Sequence, residues 1–281
     1  MTAYSASSRP GSNGGIDSMP LRKLEPAFHG RVWGTTSLDP WFPEAPAQAS
    51  GLPIGEVWFE TPEVPLLVKF LFTDKDLSVQ VHPDDAYAGL HHNSPGKTEM
   101  WHVLQAENGA KIAAGFREPA TREHVRAAAV DGSIVNLIEW FEARAGDTFF
   151  IPAGTVHAIG AGLTICEIQQ RSDVTYRLHD YGRGRELHLD RSLAVSRLGP
   201  HAARSTGNVV CPYFITEPLD VAGGQSLAPP SQNELLICVE GDGEIDGQPI
   251  RAGNVFLLTV KMDMLVITGT LRLLRTFSPR V

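Results

Sequence analysis

Short apolar segments separated by turn-forming residues recur along the chain and predict strands rather than long helices. The segment 65–72 is apolar apart from Lys69, and the segment 77–82 alternates apolar and polar residues with a period of two. Both patterns are typical of β-strands. We expect further strands at 101–105, 110–114, 147–151 and 163–169. The first two of these should form a hairpin, because Asn108-Gly109 between them is a strong turn signal.

Only one region carries the apolar spacing of a helix. Apolar residues recur at helical spacing from Val125 to Phe141, and Thr121 is suited to cap the first turn. We therefore expect a small helical segment near 119–142. The segment 31–60 contains four prolines, which oppose long regular elements and predict a loop.

A second group of strand signals begins near Tyr213. Apolar segments at 234–239, 255–258, 265–267 and 271–277 alternate with turn residues and indicate a second β-barrel or sandwich. Residues 1–19 are rich in Ser and Gly and nearly free of large apolar groups, so we expect a disordered tail there. The predicted organisation is a tail at 1–19, a first domain at 20–200 and a second domain at 201–281.

Composition and charge narrow the class of protein. The 281 residues include 27 glycines and 20 prolines, a turn-rich balance that favours an all-β fold. A net charge of −8 without a basic cluster argues against nucleic acid as a partner, and no apolar stretch is long enough for a membrane span. The three cysteines are widely separated among apolar residues, which suits buried thiols in a reducing compartment. We therefore expect a cytoplasmic protein with no nucleic-acid or membrane partner.

One motif points to a metal site. The spacing Gly146-x5-Pro152-x-Gly154-x2-His157 matches a motif of the cupin fold at each fixed position. There a strand enters a tight turn, and the chain returns so that the histidine points into a barrel. A lone histidine in such a turn is better explained as a core residue, so a metal site requires partners.

Three residues supply such partners. Gln80 and His82 are two apart on a predicted strand and so share one face, and Glu99 begins a later strand. Together with His157 they offer two imidazoles, one carboxylate and one amide oxygen, with no thiolate. This set suits Zn²⁺ in a catalytic site that keeps a position for water or substrate, while Fe²⁺ and Mn²⁺ remain open. Each residue alone has a simpler explanation, but the four together predict a metal site.

Four ordered segments resemble the type I mannose-6-phosphate isomerases, particularly their short bacterial members. They are QVHPD from Gln80, GKTEMW to Trp101, PAGTVH to His157 and SDVTYR to Arg177. The resemblance implies an all-β tandem cupin with a small helical segment, and mannose 6-phosphate and fructose 6-phosphate as substrates interconverted through an enediolate. It also implies one Zn²⁺ per chain in the first barrel, bound by Gln80, His82, Glu99 and His157.

The implied reaction moves a proton between C1 and C2 of the sugar while charge develops on the oxygens, so it requires an acid/base group and cations. If the strand that begins at 163 continues without a bulge, Glu167, Asp173 and Arg177 share one unusually polar face. An exposed sheet face would give the same alternation. The resemblance assigns Arg177 to stabilising the enediolate, Asp173 to the substrate site and Glu167 to a candidate acid/base position.

Two lysines are further candidates for the catalytic site. Lys69 lies alone in an apolar strand, where an unpaired ammonium is costly, so we expect it to meet an anion. A lysine that reaches solvent from an edge strand is the alternative, but the resemblance places a substrate-site lysine here. Lys97 shares a strand face with Glu99 if the segment is extended. The same resemblance gives Lys97 a role in substrate binding or proton transfer.

Two other functions remain open on the sequence. A metal-dependent cupin dioxygenase uses a related ligand set, with Gln80 here in place of one imidazole, and a non-catalytic sugar-phosphate-binding cupin would keep the pocket. Residues 213–281 contain no histidine, so we expect the second domain to be metal-free and structural. We expect Trp101 to be a core residue, and Arg183, Arg185 and His188 to lie in a solvated linker.

Overall fold

The computed structural model describes residues 20–279, so the tail predicted at 1–19 lies outside the described residues. Within this range nineteen strands form three antiparallel sheets, accompanied by four short helices. The predicted all-β fold with a small helical part is confirmed. No helix between residues 20 and 279 has the length and apolar character needed to cross a membrane.

Two sheets face each other and enclose the candidate metal residues. The smaller sheet has the strand order β12 (Tyr176–His179), β5 (Val79–Val81), β10 (His157–Ile159), β7 (Lys111–Phe116) and β8 (Ile138–Glu142). The larger sheet has the order β13 (Arg204–Ser205), β9 (Thr148–Ile151), β6 (Glu99–Ala106), β11 (Leu163–Gln170), β4 (Val64–Thr73), β3 (Ile54–Thr61) and β2 (Ala27–Thr35).

An apolar core fills part of the space between these two sheets. Trp101, Phe149 and Ile165 from the larger sheet pack there with Ile112 and Ile159 from the smaller one. The opposite face of the smaller sheet is covered by helices, which bury a separate apolar cluster. These helices are α1 (Asp85–His92), α2 (Arg122–Asp131), α3 (Ile134–Leu137) and α4 (Leu189–Val195).

The third sheet covers the outer face of the larger sheet. Its order is β1 (Leu21–Lys23), β18 (Val255–Leu258), β16 (Glu234–Ile245), β19 (Leu265–Phe277), β15 (Ile215–Leu227) and β14 (Val209–Val210), with β17 (Gln248–Arg251) beside β16. A single core cluster joins the two sheets, because Phe42, Phe59 and Phe70 pack with Phe214 and Leu257.

Two short strands cross the division predicted at residue 200. β1 pairs with β18 in the third sheet, although its residues lie within the predicted first domain. β13 pairs with β9 in the larger sheet, although it follows residue 200. The division into 20–200 and 201–281 therefore remains a proposal, and these two strands are exceptions to it.

The helical prediction near 119–142 is correct only in its first part. Thr121 accepts the backbone N–H of His124 as predicted for a cap, and α2 ends at Asp131, followed by the capping residue Gly132, whose φ of 85° suits glycine. α3 then ends at Leu137, and residues 138–142 form β8 in place of the predicted helix. The apolar spacing continues there because β8 buries residues against β7.

Two other local predictions are wrong. The turn at Asn108-Gly109 exists, but β6 and β7 belong to different sheets and do not pair as a hairpin. In a two-sheet sandwich such a turn carries the chain from one sheet to the other, a choice that the turn residues do not reveal. The predicted loop at 31–60 contains the end of β2 and most of β3, and its prolines are confined to the connection between them.

Candidate metal centre and active site

The metal candidates come together from both facing sheets. Gln80 in β5 and His157 at the start of β10 are directly paired across the smaller sheet, and His82 follows β5 by one residue. Glu99 is the first residue of β6 in the larger sheet. The interior space between the two sheets, called the cavity below, therefore receives His82 and His157 from one sheet and Glu99 from the other.

Gly154 shapes the turn that delivers His157. Its φ of 85° lies in the left-handed region, and a Cβ there would lie 2.9 Å from the backbone oxygen of Val195. Thr155 donates its N–H to the Pro152 carbonyl at 3.1 Å, which closes the turn. The turn thus explains the proline and the glycine of the motif, because these two residues reverse the chain immediately before the histidine.

Three side chains form a compact group of possible ligand atoms. Nε2 of His82 lies 3.5 Å from Oε2 of Glu99, and Nε2 of His157 lies 3.4 Å from Oε1 of the same carboxylate. All of the possible ligand atoms lie within 4.8 Å of one another. His82 is 2% exposed, Glu99 is 0% exposed and His157 is 1% exposed. Bulk solvent therefore does not hydrate these side chains.

Backbone carbonyls orient both imidazoles. Nδ1 of His82 donates to the Val174 carbonyl at 3.0 Å, and Nδ1 of His157 donates to the Thr155 carbonyl at 2.9 Å. With the proton placed on Nδ1, the Nε2 lone pair of each ring faces the group. Histidines that bind metals use this arrangement, in which the second ring nitrogen is fixed by a carbonyl.

The protonation states also suit a metal ion. Burial lowers the pKa of His157 to about 4 and the pKa of His82 well below its usual value, so both rings are neutral. Burial raises the pKa of Glu99 to about 7, although Lys97 opposes this. Among the described residues, the close polar contact of the Glu99 carboxylate is the Lys97 ammonium, 2.8 Å from Oε2, and Oε1 accepts no hydrogen bond. Neutral imidazoles and an undersatisfied carboxylate are the chemistry that a divalent cation fits.

Gln80 lies at this site in a different orientation. Its amide nitrogen, not its oxygen, is 3.3 Å from Nε2 of His157, while Oε1 accepts the Ser78 hydroxyl at 3.1 Å. An amide binds a metal through oxygen, so ligation by Gln80 requires a half-turn of the amide group. The structure brings Gln80 to the site and leaves its ligation a prediction.

Lys97 is buried beside the metal candidates. Its Nζ is 2.8 Å from Oε2 of Glu99, 3.1 Å from Nε2 of His82 and 3.9 Å from Oε1 of Glu167. Burial disfavours the ammonium, but Glu167 and Glu99 outweigh this effect and raise the pKa of Lys97. Lys97 is therefore a cation in the cavity, able to stabilise negative charge.

A row of residues across the larger sheet continues the site. Trp58, Lys69, Glu167 and Trp101 are directly opposite one another on β3, β4, β11 and β6, so their side chains share one face. Lys69 Nζ is 3.4 Å from Oε1 of Glu167 and 3.9 Å from Asp173, and it lies over the Trp58 ring. The buried ammonium of Lys69 meets an anion, as its position in an apolar strand predicts.

Glu167 is held as an ionised carboxylate. It is 4% exposed, and the Trp101 indole donates to its Oε2 at 2.8 Å. Burial opposes its charge, but Lys97 and Lys69 lower its pKa. The alternative of an exposed polar sheet face is excluded for this residue. Trp101 was expected only in the core, and its contact with Glu167 has no signal in the sequence.

Arg177 reaches the site on a different element from the one predicted. β11 ends at Gln170, residues 171–175 form a loop, and Arg177 lies in β12, where it pairs with Gln80. The strand predicted at 163–169 is present as β11, but it does not continue to 177, because the chain leaves the larger sheet and enters the smaller one. Within the described part of the chain Arg177 has no ion pair, and its buried Nε has no hydrogen-bond partner.

The charged residues after β12 are more ordered than expected. Asp180 is only 4% exposed and binds both Arg183 and Arg185, so these arginines are not a solvated linker. His188 accepts the backbone N–H of Arg177 at Nδ1, at 3.2 Å. The predicted solvated linker is therefore wrong, and part of this segment braces the strand that carries Arg177.

The chain is similar to known proteins over most of its length, although it matches no protein-family model. It is 32% identical to mannose-6-phosphate isomerase ManA of Bacillus subtilis over an alignment of 300 residues, gaps included, which covers 88% of this chain and 95% of that protein. It is 33% identical over 258 residues to mannose-6-phosphate isomerase of Streptococcus mutans, covering 81% of each. The crystal structure of mannose 6-phosphate isomerase from Bacillus subtilis aligns with a TM-score of 0.82 at 26% identity, covering 90% of this chain and 98% of that one.

Proposed function

The chain belongs to the mannose-6-phosphate isomerase family, and from this premise we propose that it interconverts mannose 6-phosphate and fructose 6-phosphate with one bound Zn²⁺. The observation that carries the proposal is the buried group of His82, Glu99 and His157 beside the cations Lys97 and Lys69. Membership of an isomerase family leaves the dioxygenase and the non-catalytic alternatives without support.

The ligands in this proposal are Nε2 of His82, Nε2 of His157, a Glu99 oxygen and, after rotation of its amide, Oε1 of Gln80. A Zn²⁺ held there supplies positive charge next to the sugar oxygens that become negative in an enediolate. Lys97 contacts His82 Nε2, so ligation through that nitrogen leaves Glu99 and Glu167 as the partners of Lys97. Fe²⁺ and Mn²⁺ accept the same donors, so the identity of the metal is decided by metal analysis.

The protein groups divide the remaining work. Glu167 carries a lowered pKa and is therefore ionised at neutral pH, which suits a carboxylate that moves a proton between C1 and C2. Lys97 stays protonated and stabilises the developing oxyanion. Arg177 has no partner of its own within residues 20–279, so its guanidinium is available to the substrate. Lys69 and Asp173 border the same space and are proposed to orient the sugar phosphate.

Isotope exchange tests the reaction. Fructose 6-phosphate incubated with the zinc-loaded protein in deuterated water should give mannose 6-phosphate, with some deuterium at C2 when the transferred proton exchanges with solvent. Chelation should abolish the conversion, and zinc should restore it. A folded, zinc-loaded sample that forms no mannose 6-phosphate would refute the proposal. Nicotinamide, flavin and oxygen should have no effect on the rate.

A further inference from the structure

The short segment in front of β6 is held by three different elements. Gly96 donates its backbone N–H to Oδ1 of Asp85 at 2.7 Å, and Lys97 donates to the Pro83 carbonyl at 3.0 Å. Thr98 donates to Oε1 of Gln170 at 2.9 Å. Three successive N–H groups are therefore bound by the start of α1, by the turn after β5 and by the end of β11.

One side chain links two of these contacts. Gln170 accepts the Thr98 N–H with its amide oxygen and donates with Nε2 to Oδ1 of Asp85 at 2.8 Å. Gln170 is 6% exposed whereas Asp85 is exposed, so the bridge runs from the interior to the surface. The Gln170 backbone N–H also donates to the Thr98 carbonyl at 3.2 Å. Asp85 and Gln170 thus act on the segment 96–98 as one bonded unit.

The segment 96–98 passes in direct contact with the start of α1. A Cβ on Gly96 would lie 2.5 Å from the backbone carbon of Asp84, closer than side-chain atoms approach. Glycine therefore allows the close approach that brings the Gly96 N–H to Asp85. The hydrogen bond between Gly96 and Asp85 therefore depends on the glycine, because a side chain at position 96 would force a larger separation.

The held segment carries two groups of the proposed site. Lys97 lies within it and Glu99 follows it, and their charged atoms are 2.8 Å apart. A small displacement of this backbone would move both groups relative to His82 and Glu167. Misplacement of a catalytic group by about 1 Å lowers turnover by up to about a hundredfold.

We propose that Asp85 and Gln170 form a positioning clamp that sets Lys97 and Glu99 for catalysis without touching the reacting atoms. Their side-chain hydrogen bonds go to backbone N–H groups of the segment 96–98 and to each other. Both are therefore positioning residues. This inference rests on the proposed isomerase function for its kinetic consequence, while the structural consequence can be measured without activity.

The kinetic test exchanges the bonded partners. Gln170→Glu keeps an acceptor for the Thr98 N–H but loses the donor to Asp85 and adds a like charge, and we expect kcat to fall about tenfold. Asp85→Ala removes the acceptor for the Gly96 N–H and should have a similar effect. The double variant Asp85→Asn, Gln170→Glu restores a donor and an acceptor between the two positions, so kcat should recover to within about threefold of wild type. KM should change less than kcat in each variant.

Asp84→Ala is the matched control. Asp84 caps α1 by accepting the Tyr87 N–H and makes none of the clamp contacts, so its loss weakens the same helix without releasing the segment 96–98. Hydrogen exchange gives the second readout. The amides of Gly96 and Thr98 should lose protection in Asp85→Ala, which removes an acceptor, and in Gln170→Glu, where repulsion between two carboxylates separates positions 85 and 170. They should regain protection in the double variant Asp85→Asn, Gln170→Glu and keep it in Asp84→Ala.

The outcomes separate the clamp from the function. Equal loss of kcat in Asp84→Ala and Asp85→Ala, or no recovery in the exchanged pair, would overturn the clamp. Unchanged exchange of the Gly96 and Thr98 amides in both single variants would also overturn it, whether or not the protein is active. An inactive wild type whose amides respond as expected would instead refute the isomerase proposal and leave the structural clamp standing.

Discussion

Lys69 and Glu167 lie directly opposite each other on β4 and β11, and their charged atoms are 3.4 Å apart with side chains only 3% and 5% exposed. Each offsets part of the cost of burying the other, since an isolated charge in this core would lose its hydration without compensation. Asp173 extends the pair toward solvent, because its carboxylate is 3.9 Å from Lys69 and its side chain is 68% exposed. The three charged groups therefore run from the protein interior to solvent.

Loss of Lys69 should destabilise the protein far more than loss of a surface cation. Lys69→Met leaves Glu167 buried with only the more distant Lys97, at 3.9 Å, and should lower the free energy of unfolding by about 3 kcal/mol. The control is Arg22→Met, which breaks a pair with Glu63 whose side chains are 24% and 28% exposed, and it should cost about 0–1 kcal/mol. Urea denaturation measures both, and equal losses would contradict the buried pair.

Metal analysis should find one zinc per chain. The combined variant His82→Ala, His157→Ala removes both imidazole ligands and should abolish bound zinc. The control is His102→Ala, because His102 is a buried histidine on β6, the strand of Glu99, but it bonds Thr148 on the face away from Glu99. Plasma mass spectrometry of dialysed samples gives the ratio. Two zinc ions per chain, or zinc retained by the double variant, would contradict the site.

Arg177 should act in the transition state. Arg177→Ala should lower kcat by about 10²-fold with little change in zinc content, because the loss of an electrostatic donor to developing charge has this size. Arg177→Lys should recover only part of the rate, since an ammonium lacks the planar fork of a guanidinium. Arg117→Ala, at a position whose side chain is 63% exposed, is the control. Normal kcat with a raised KM would assign Arg177 to substrate binding alone.

The Trp101 indole should set the pH dependence. Its hydrogen bond stabilises ionised Glu167, so Trp101→Phe should raise the pKa of Glu167. If the carboxylate must be ionised to act, the acidic limb of the kcat/KM profile moves to higher pH. Trp140→Phe removes a comparable indole bond, to the Val135 carbonyl, and should leave the profile in place. An acidic limb that stays fixed in Trp101→Phe would remove Glu167 from the base role.

The same change has a consequence for stability. A carboxyl whose pKa is depressed on folding contributes stability above its unfolded pKa, and this contribution is lost as pH falls through the folded value. Because Trp101→Phe makes the depression of the Glu167 pKa smaller, the variant should lose stability at neutral pH and differ less from wild type in acid. Thermal melts of the variant and the wild type at a series of pH values from neutral to acidic provide the measurement.

Local chemistry made several residues predictable from the sequence. Lys69 in an apolar strand requires an anion, and Glu167 supplies one. The spacing of Gln80 and His82 and the turn at Gly154 bring these residues to one cavity. Each of these inferences depends on few neighbouring residues, so errors elsewhere in the chain do not affect it.

The failed predictions concern which sheet a segment joins. Glu167 and Arg177 share one strand face only if the strand from 163 continues without a break, yet they lie on opposite sheets, because the loop 171–175 carries the chain across. The predicted neighbourhood is right for Glu167 and Asp173, which both approach Lys69. Period-two alternation shows which side of a strand is buried. The buried sides of both sheets face the same interior space, so the pattern cannot show which sheet a strand joins.

The orientation of side chains was a further limit. Nothing in the segment 78–82 indicates that the Gln80 oxygen faces Ser78, because that choice depends on a balance of weak contacts. The clamp formed by Asp85 and Gln170 joins residues that are far apart in the chain, through hydrogen bonds to backbone groups. Such contacts leave no periodic trace in a single sequence.

The pairing of β1 with β18 ties the beginning of the described chain to its last sheet. Trp41 reinforces this connection by donating its indole N–H to the Val239 carbonyl at 2.9 Å. A fragment that stops at residue 200 would expose the apolar side of the larger sheet and leave β1 without its partner strand. Heating should consequently disrupt both halves in one cooperative step, seen as a single calorimetric peak whose van't Hoff and measured enthalpies agree.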